Sequence, residues 1–129
     1  MSTPAAIIER IIRTKATELG FATFVNHLQD KPDKAIVVID GRGSLDPKTL
    51  RGTQTQRDLV EIHVRAFDHE EAAAVLPTLW STIFEQTSAT SSLGKIVQCI
   101  TKANTMGCYG QEPQTRRWRF SQHFLVTII

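Results

Sequence analysis

Residues 57–67, RDLVEIHVRAF, set Val60, Ile62 and Val64 at alternate positions with Glu61, His63 and Arg65 between them. The run then passes without a break into DHEEAAAVLPTLWSTIFEQ, residues 68–86. A period of two is the mark of an antiparallel strand with one face on a core and the other turned away from it. The following segment carries Ala72, Leu76, Leu79, Trp80 and Ile83 at helical spacing, behind an acidic first turn that suits the positive end of a helix dipole. Pro77 removes one backbone hydrogen bond from that helix, which implies a kink there or a start close to it.

The rest of the chain is parsed around this junction. Ser2 or Thr3 can cap a first helix that opens on Pro4 and repeats Ile7, Ile8, Ile11, Ile12 and Leu19 along one side, with Glu9, Arg10, Arg13 and Lys15 elsewhere. Gly20 is a natural stop. Strands are expected over residues 21–28, 35–40, 57–67, 95–101 and 116–129. In the last of these, Trp118, Phe120, Phe124, Val126 and Ile128 share a face. The expectation is one α+β domain over residues 1–129, in the order α-β-β-β-α-β-β. Its mostly antiparallel or mixed five-stranded sheet is packed by two helices. Two long loops interrupt it, GRGSLDPKTLRGTQTQ and KANTMGCYGQEPQT, and loops of that length in a compact domain usually serve function or are disordered.

At 129 residues, 41% hydrophobic and 22% charged, the chain has the composition of a folded domain, and its formal charge of +2 is too small to argue for nucleic-acid binding. The distribution of charge says more. Arg42, Lys48, Arg51 and Arg57 stand against Asp46 alone, a net of +3, whereas Asp68, Glu70, Glu71 and Glu85 form a stretch of −4 with no basic residue. Opposite signs on separate parts of a small domain suit head-to-tail contact between copies of it, as well as plain solvated surfaces. With no signal peptide evident, a reducing compartment is expected and a Cys99–Cys108 disulfide is not. No apolar run reaches membrane-spanning length.

Catalytic and metal motifs are not found. The Gly41-Arg42-Gly43-Ser44 turn lacks the Gly-Lys-Ser/Thr ending of a phosphate loop and a helix directly after it. His27, His63, His69 and His123 show no ligand spacing with the cysteines. Glu61 and His63 share a strand face with Arg65 and read as partner-facing or solvated positions. TRRWRF suggests base stacking and phosphate contact, but alternation turns Trp118 toward the core and Arg117 and Arg119 away from it. No enzyme, cofactor or metal is expected.

Beyond these residue-level readings, PDKAIVVIDGRGS followed by a long loop, VEIHVRAFDHEEA and an apolar helix ending near Phe84 resembles the tail-terminator and minor capsid (head-tail joining) proteins of long-tailed bacteriophages. Val64, Arg65 and Ala72 correspond to their strand-ending Val-Arg and early helical alanine. The detailed resemblance spans residues 32–84. It implies a non-enzymatic ring, most simply of six copies, that caps the tail tube, stops its growth and offers a surface for joining the head. The implied partners are other copies of the chain, the tube protein and the head-tail connector or neck protein, with DNA only as cargo in the lumen. The implied location is the head-proximal end of the virion tail, after assembly in the host cytoplasm. Contact residues are expected at Arg42, Lys48, Arg51 and Arg57 in the first loop, Glu61, His63 and Arg65 on the strand, and Lys102, Tyr109 and Arg116 in the second loop. A head-completion protein on the portal side and a small nucleic-acid-binding module are the alternatives.

Overall fold

A computed structural model describes residues 3–45, 56–86 and 97–128. Two helices and six strands follow in the order α1 (Pro4–Glu18), β1 (Ala22–Val25), β2 (Ala35–Leu45), β3 (Gln56–Ala66), α2 (His69–Gln86), β4 (Val97–Lys102), β5 (Gly107–Gln111) and β6 (Trp118–Ile128). The sheet runs β1-β2-β3-β6-β4. Its β1–β2 pair is parallel and the others antiparallel, so the expected mixed five-stranded sheet with two helices is present. The second loop adds β5, which pairs with the start of β6 while β4 pairs with its end, so the two short strands share one edge. An exposed GCYGQ with two glycines has no alternating apolar signal from which that strand could be read.

Helix α1 begins as its sequence suggests. Thr3 Oγ1 accepts from the Ala6 amide at 3.3 Å, and Pro4 occupies the first turn. The Ala5 amide donates to Asp40 Oδ1 at 2.8 Å, while Asn26 exchanges two further bonds with Asp40, of 2.9 and 2.8 Å. One carboxylate thus ties a helix amino-terminus to the end of β1 and the middle of β2, with the charge sign that the helix dipole favours. At the other end Gly20 takes φ +84°, and bonds from Gly20 to Thr17 O and from Phe21 to Ala16 O close the helix.

The core lies between the helices and one sheet face. Ile7, Ile8 and Ile12 of α1 meet Ile36 and Val38, Val60, Ile62 and Val64, Phe120, Phe124 and Val126, with Ala72, Leu76 and Leu79 closing it from α2. Of the stripe predicted from alternate positions on β3 and β6, Val60, Ile62, Val64, Phe120, Phe124 and Val126 are buried and Trp118 is partly buried, while the Ile128 side chain lies outside the described residues. Trp80 stacks on Phe124 at 5.6 Å. Helix α2 starts at His69 and continues through Pro77, so the proline does not mark its beginning. Glu9, which the sequence sets off the apolar stripe of α1, is nevertheless buried. It is 4% exposed, held by Arg13 at 2.7 and 2.5 Å and by Thr23 Oγ1 at 2.7 Å. Burial would raise its carboxyl pKa, but the Arg13 and Thr23 hydrogen bonds outweigh that and hold it below the usual carboxylate value.

Candidate functional site

Both helices pack on the face that carries Val60, Ile62 and Val64, so the odd-numbered residues of β3 face the other way. Register then decides which side chains meet there. Leu59 lies opposite Leu125, Glu61 opposite His123, His63 opposite Ser121 and Arg65 opposite Arg119. Directly opposed residues in an antiparallel pair sit close enough to interact.

One end of this second face is roofed. The turn through residues 30–33 crosses it, and Arg65 donates to the carbonyls of Asp33 at 3.3 Å, Asp30 at 3.2 Å and Pro32 at 2.6 Å. Arg117 completes the clamp with ion pairs to Asp30 at 3.1 Å, Asp33 at 3.2 Å and Glu112 at 2.7 Å. Each arginine is 3% exposed. Arg65 was expected as a contact for a partner. It lies on the anticipated face, but it is buried and committed to holding a turn of its own chain. Trp118 packs at the core margin, with His69 edge-on to it at 4.7 Å. Within TRRWRF, therefore, Arg117 is committed to an internal clamp and Trp118 is half-buried against the core.

Beyond the clamp lies a polar cluster built by three strands. Glu61 Oε1 meets His123 Nε2 at 2.6 Å, and Glu61 Oε2 stands 4.0 Å from His63 Nε2. The Tyr109 ring from β5 stacks on His63 with centroids 5.7 Å apart and planes 11° from parallel. His63, Tyr109 and Arg119 line an open depression of about 340 Å³. Burial pushes the His63 imidazole below its usual pKa, and the Arg119 and His123 charges push the same way against Glu61. The ring is consequently neutral near pH 7. His63 Nδ1 and Arg119 Nε are buried and have no hydrogen-bond partner among the described residues. A second depression, of about 410 Å³, lies between α1 and α2 and is lined by Lys15, Pro77, Thr78, Ser81 and Thr82, without converging charges.

Of the residues singled out from sequence, Glu61, His63 and Tyr109 come together here. The others are dispersed. Lys48 and Arg51 lie outside the described residues, and Arg42 is placed only by its backbone in β2. Arg57 is exposed near the start of β3, opposite Ser44 and Thr127. Lys102 pairs in register with Phe124 and sits on the helix side, its ammonium 5.0 Å from the Trp80 ring centroid. Arg116 is exposed at φ +60° in the turn before β6, where its carbonyl accepts from the Gln111 amide group at 2.7 Å. Cys108 is free and exposed.

His123 and Arg119 join the cluster without having been nominated. Alternation places both on the correct face, but their meeting with Glu61 and His63 depends on the β3–β6 register, which no local pattern encodes. Among the described residues no three His, Cys, Asp or Glu side chains are placed to hold a metal ion. Nor is any described helix long and apolar enough to cross a membrane. No protein-family profile matches the chain, and no curated protein is similar to it.

Proposed function

We propose that this chain is a structural subunit of a long-tailed phage. In this reading it forms a closed ring that caps the tail tube, stops its elongation and presents the head-joining surface. The observation that carries the reading is the separation of charge along β3. Arg57 stands near the start of that eleven-residue strand, beside the connection that holds Lys48 and Arg51. Asp68 and Glu70 are exposed just past its other end. Eleven residues of strand span about 35 Å, so Arg57 and the Asp68–Glu70 pair stand near opposite ends of β3. A ring closes through heterologous contacts, in which one end of a copy meets the opposite end of the next. Asp68 and Glu70, with exposed Arg116 and Lys31 nearby, give that end a mixture of charges that can pair with Arg57 of the next copy. Phe67 and Tyr109, 54% and 66% exposed, are the large apolar side chains left outside the core among the described residues, and such residues often anchor interfaces.

Deleting the coding gene from the phage that carries it, then imaging the lysate by negative-stain electron microscopy, tests the reading. Overlong tubes without heads are the expected result. Tails of normal length that fail to join heads would move the protein to the neck, and normal virions would end both assignments.

A further inference from the structure

We infer that the contact between His63 and Tyr109 is a pH-sensitive latch on β5. When His63 takes up a proton, its ring turns to the Glu61 carboxylate and leaves Tyr109, so the edge strand is held less firmly. The device lies within one subunit and stands apart from ring formation.

Three observations carry it. The first is that the site suits a neutral imidazole and not an imidazolium. His63 Nδ1 is buried and has no hydrogen-bond partner among the described residues. A neutral ring can keep its single proton on Nε2 and leave Nδ1 as an unused acceptor, whereas an imidazolium carries a proton on both nitrogens. A buried N–H with no acceptor loses its hydration without return, and a charged one loses more. The protonated ring must therefore reorient.

The second observation is where the ring can go. On β6, Arg119 lines the same depression and His123 stands diagonally across. On β3, Glu61 and Arg65 share the face, β5 brings the Tyr109 phenol, and β2 sets the uncharged Val37 opposite His63. Burial opposes a charge on His63 most strongly, and Arg119 and His123 add to it, so the ring titrates below its usual range. Among these groups the Glu61 carboxylate draws a cation, and it has an oxygen to offer. Its Oε1 meets His123 Nε2 at 2.6 Å, while its Oε2 stands 4.0 Å from His63 Nε2. That gap exceeds a hydrogen bond by about 1 Å, which a turn of the His63 side chain closes.

The third is how β5 is held. It pairs with β6 alone among the described strands, its register shifts between Cys108 and Gly110, and four of its five residues are exposed. Tyr109 sits at that irregularity, and its ring on His63, with planes 11° from parallel, ties β5 across to β3. An imidazolium would gain a cation–π contact by staying under Tyr109. At a ring 66% exposed that gain is small beside a partly buried ion pair with Glu61.

The test is an NMR titration of the whole chain between about pH 8 and pH 5, following the His63 and Tyr109 rings and amide protection along β4 and β5. A phenol does not ionise until about pH 10, so Tyr109 should be silent here unless the latch moves it. The expected result is that Tyr109 signals move to those of a free tyrosine side chain with the midpoint of His63, below about pH 6.5. Protection in β5 should fall about two- to tenfold across that midpoint, the worth of one aromatic pair, while β4 stays unchanged. His63→Gln should remove the Tyr109 step and the β5 response together. Glu61→Gln takes away the carboxylate that receives the ring and should move both to lower pH. His69→Gln, at the start of α2, should leave both in place. Coincident midpoints in the unaltered chain test the latch without any variant. Constant β5 protection while His63 titrates, a Tyr109 step that survives His63→Gln, an equal loss in β4, or a His63 ring still neutral when acid unfolds the chain overturns the inference.

Discussion

The two faces of this sheet are built by the same strands but held by different physics. On the helix side, alternate residues of β3 and β6 interlock with two amphipathic helices, and Val60, Ile62, Val64 and Phe124 are 0–1% exposed. On the other side most intervening residues of β3 and β6 are charged or polar, Leu59 and Leu125 aside, and directional bonds supply much of the order. Arg65 and Arg117 pin a turn across one end, while Glu61, His63 and His123 form a partly buried cluster with Arg119 in reserve. Burial of apolar area tolerates inexact geometry but demands volume. A buried polar cluster demands partners for every atom, and each one left unpartnered weakens it.

Substitutions should separate these regimes. The largest loss is expected on the helix face. Phe124→Ala removes a ring that is 1% exposed and stacks on Trp80, and should cost about 3–5 kcal/mol in urea unfolding. Arg117→Ala should cost less, about 2–3 kcal/mol, because its carboxylate partners keep some access to water. Its distinctive signature would be faster hydrogen exchange confined to residues 30–33, where Phe124→Ala should act globally. A loss as large and as global as that of Phe124→Ala would erase the distinction between the faces.

The next effect is read along pH. The folded His63 pKa lies below the unfolded imidazole value of about 6.5. The unfolded chain therefore binds the proton first as pH falls. His63 favours folding above about pH 6.5, and that contribution fades as pH drops through its folded value. His63→Gln should flatten the stability profile in this window, and an unchanged slope would mean the ring is solvated. Glu9 has the same sign at lower pH, since its carboxyl lies below the usual value. The smallest effect is expected at Tyr109→Ser, within about 0.5 kcal/mol, because the ring is already largely in water.

The helix face was readable in advance because it obeys local rules. Period two at Val60, Ile62 and Val64, helical spacing at Ile7, Ile8 and Ile12, and Gly20 at a helix end each involve neighbours a few residues apart. The second face was only partly legible. Alternation sent Arg65 to the correct side, but whether solvent or residues 30–33 lay above it depended on a turn distant in sequence. Glu9 stands off the isoleucine stripe in the sequence, and only the fold brings Thr23 of β1 and Arg13 around its carboxylate. The pairing of Glu61 with His123 likewise appears only once β3 and β6 are aligned. Loop position nominated Lys102 and Arg116 beside Tyr109, although the three lie in different surroundings.

The β3–β6 pairing also bears on how the chain reaches this state. Ala66 pairs with Trp118 and Gln56 with Ile128, so this pairing closes a loop of chain that contains α2, β4 and β5. Contacts so distant in sequence put the molecule among domains that fold in milliseconds to seconds. Until β6 docks, β3 exposes a row of unpaired amides beside Val60, Ile62 and Val64. Nascent or heated chains should be vulnerable to cross-pairing at that strand, and a chaperone that shields it would raise the yield of native protein more than one that binds α1.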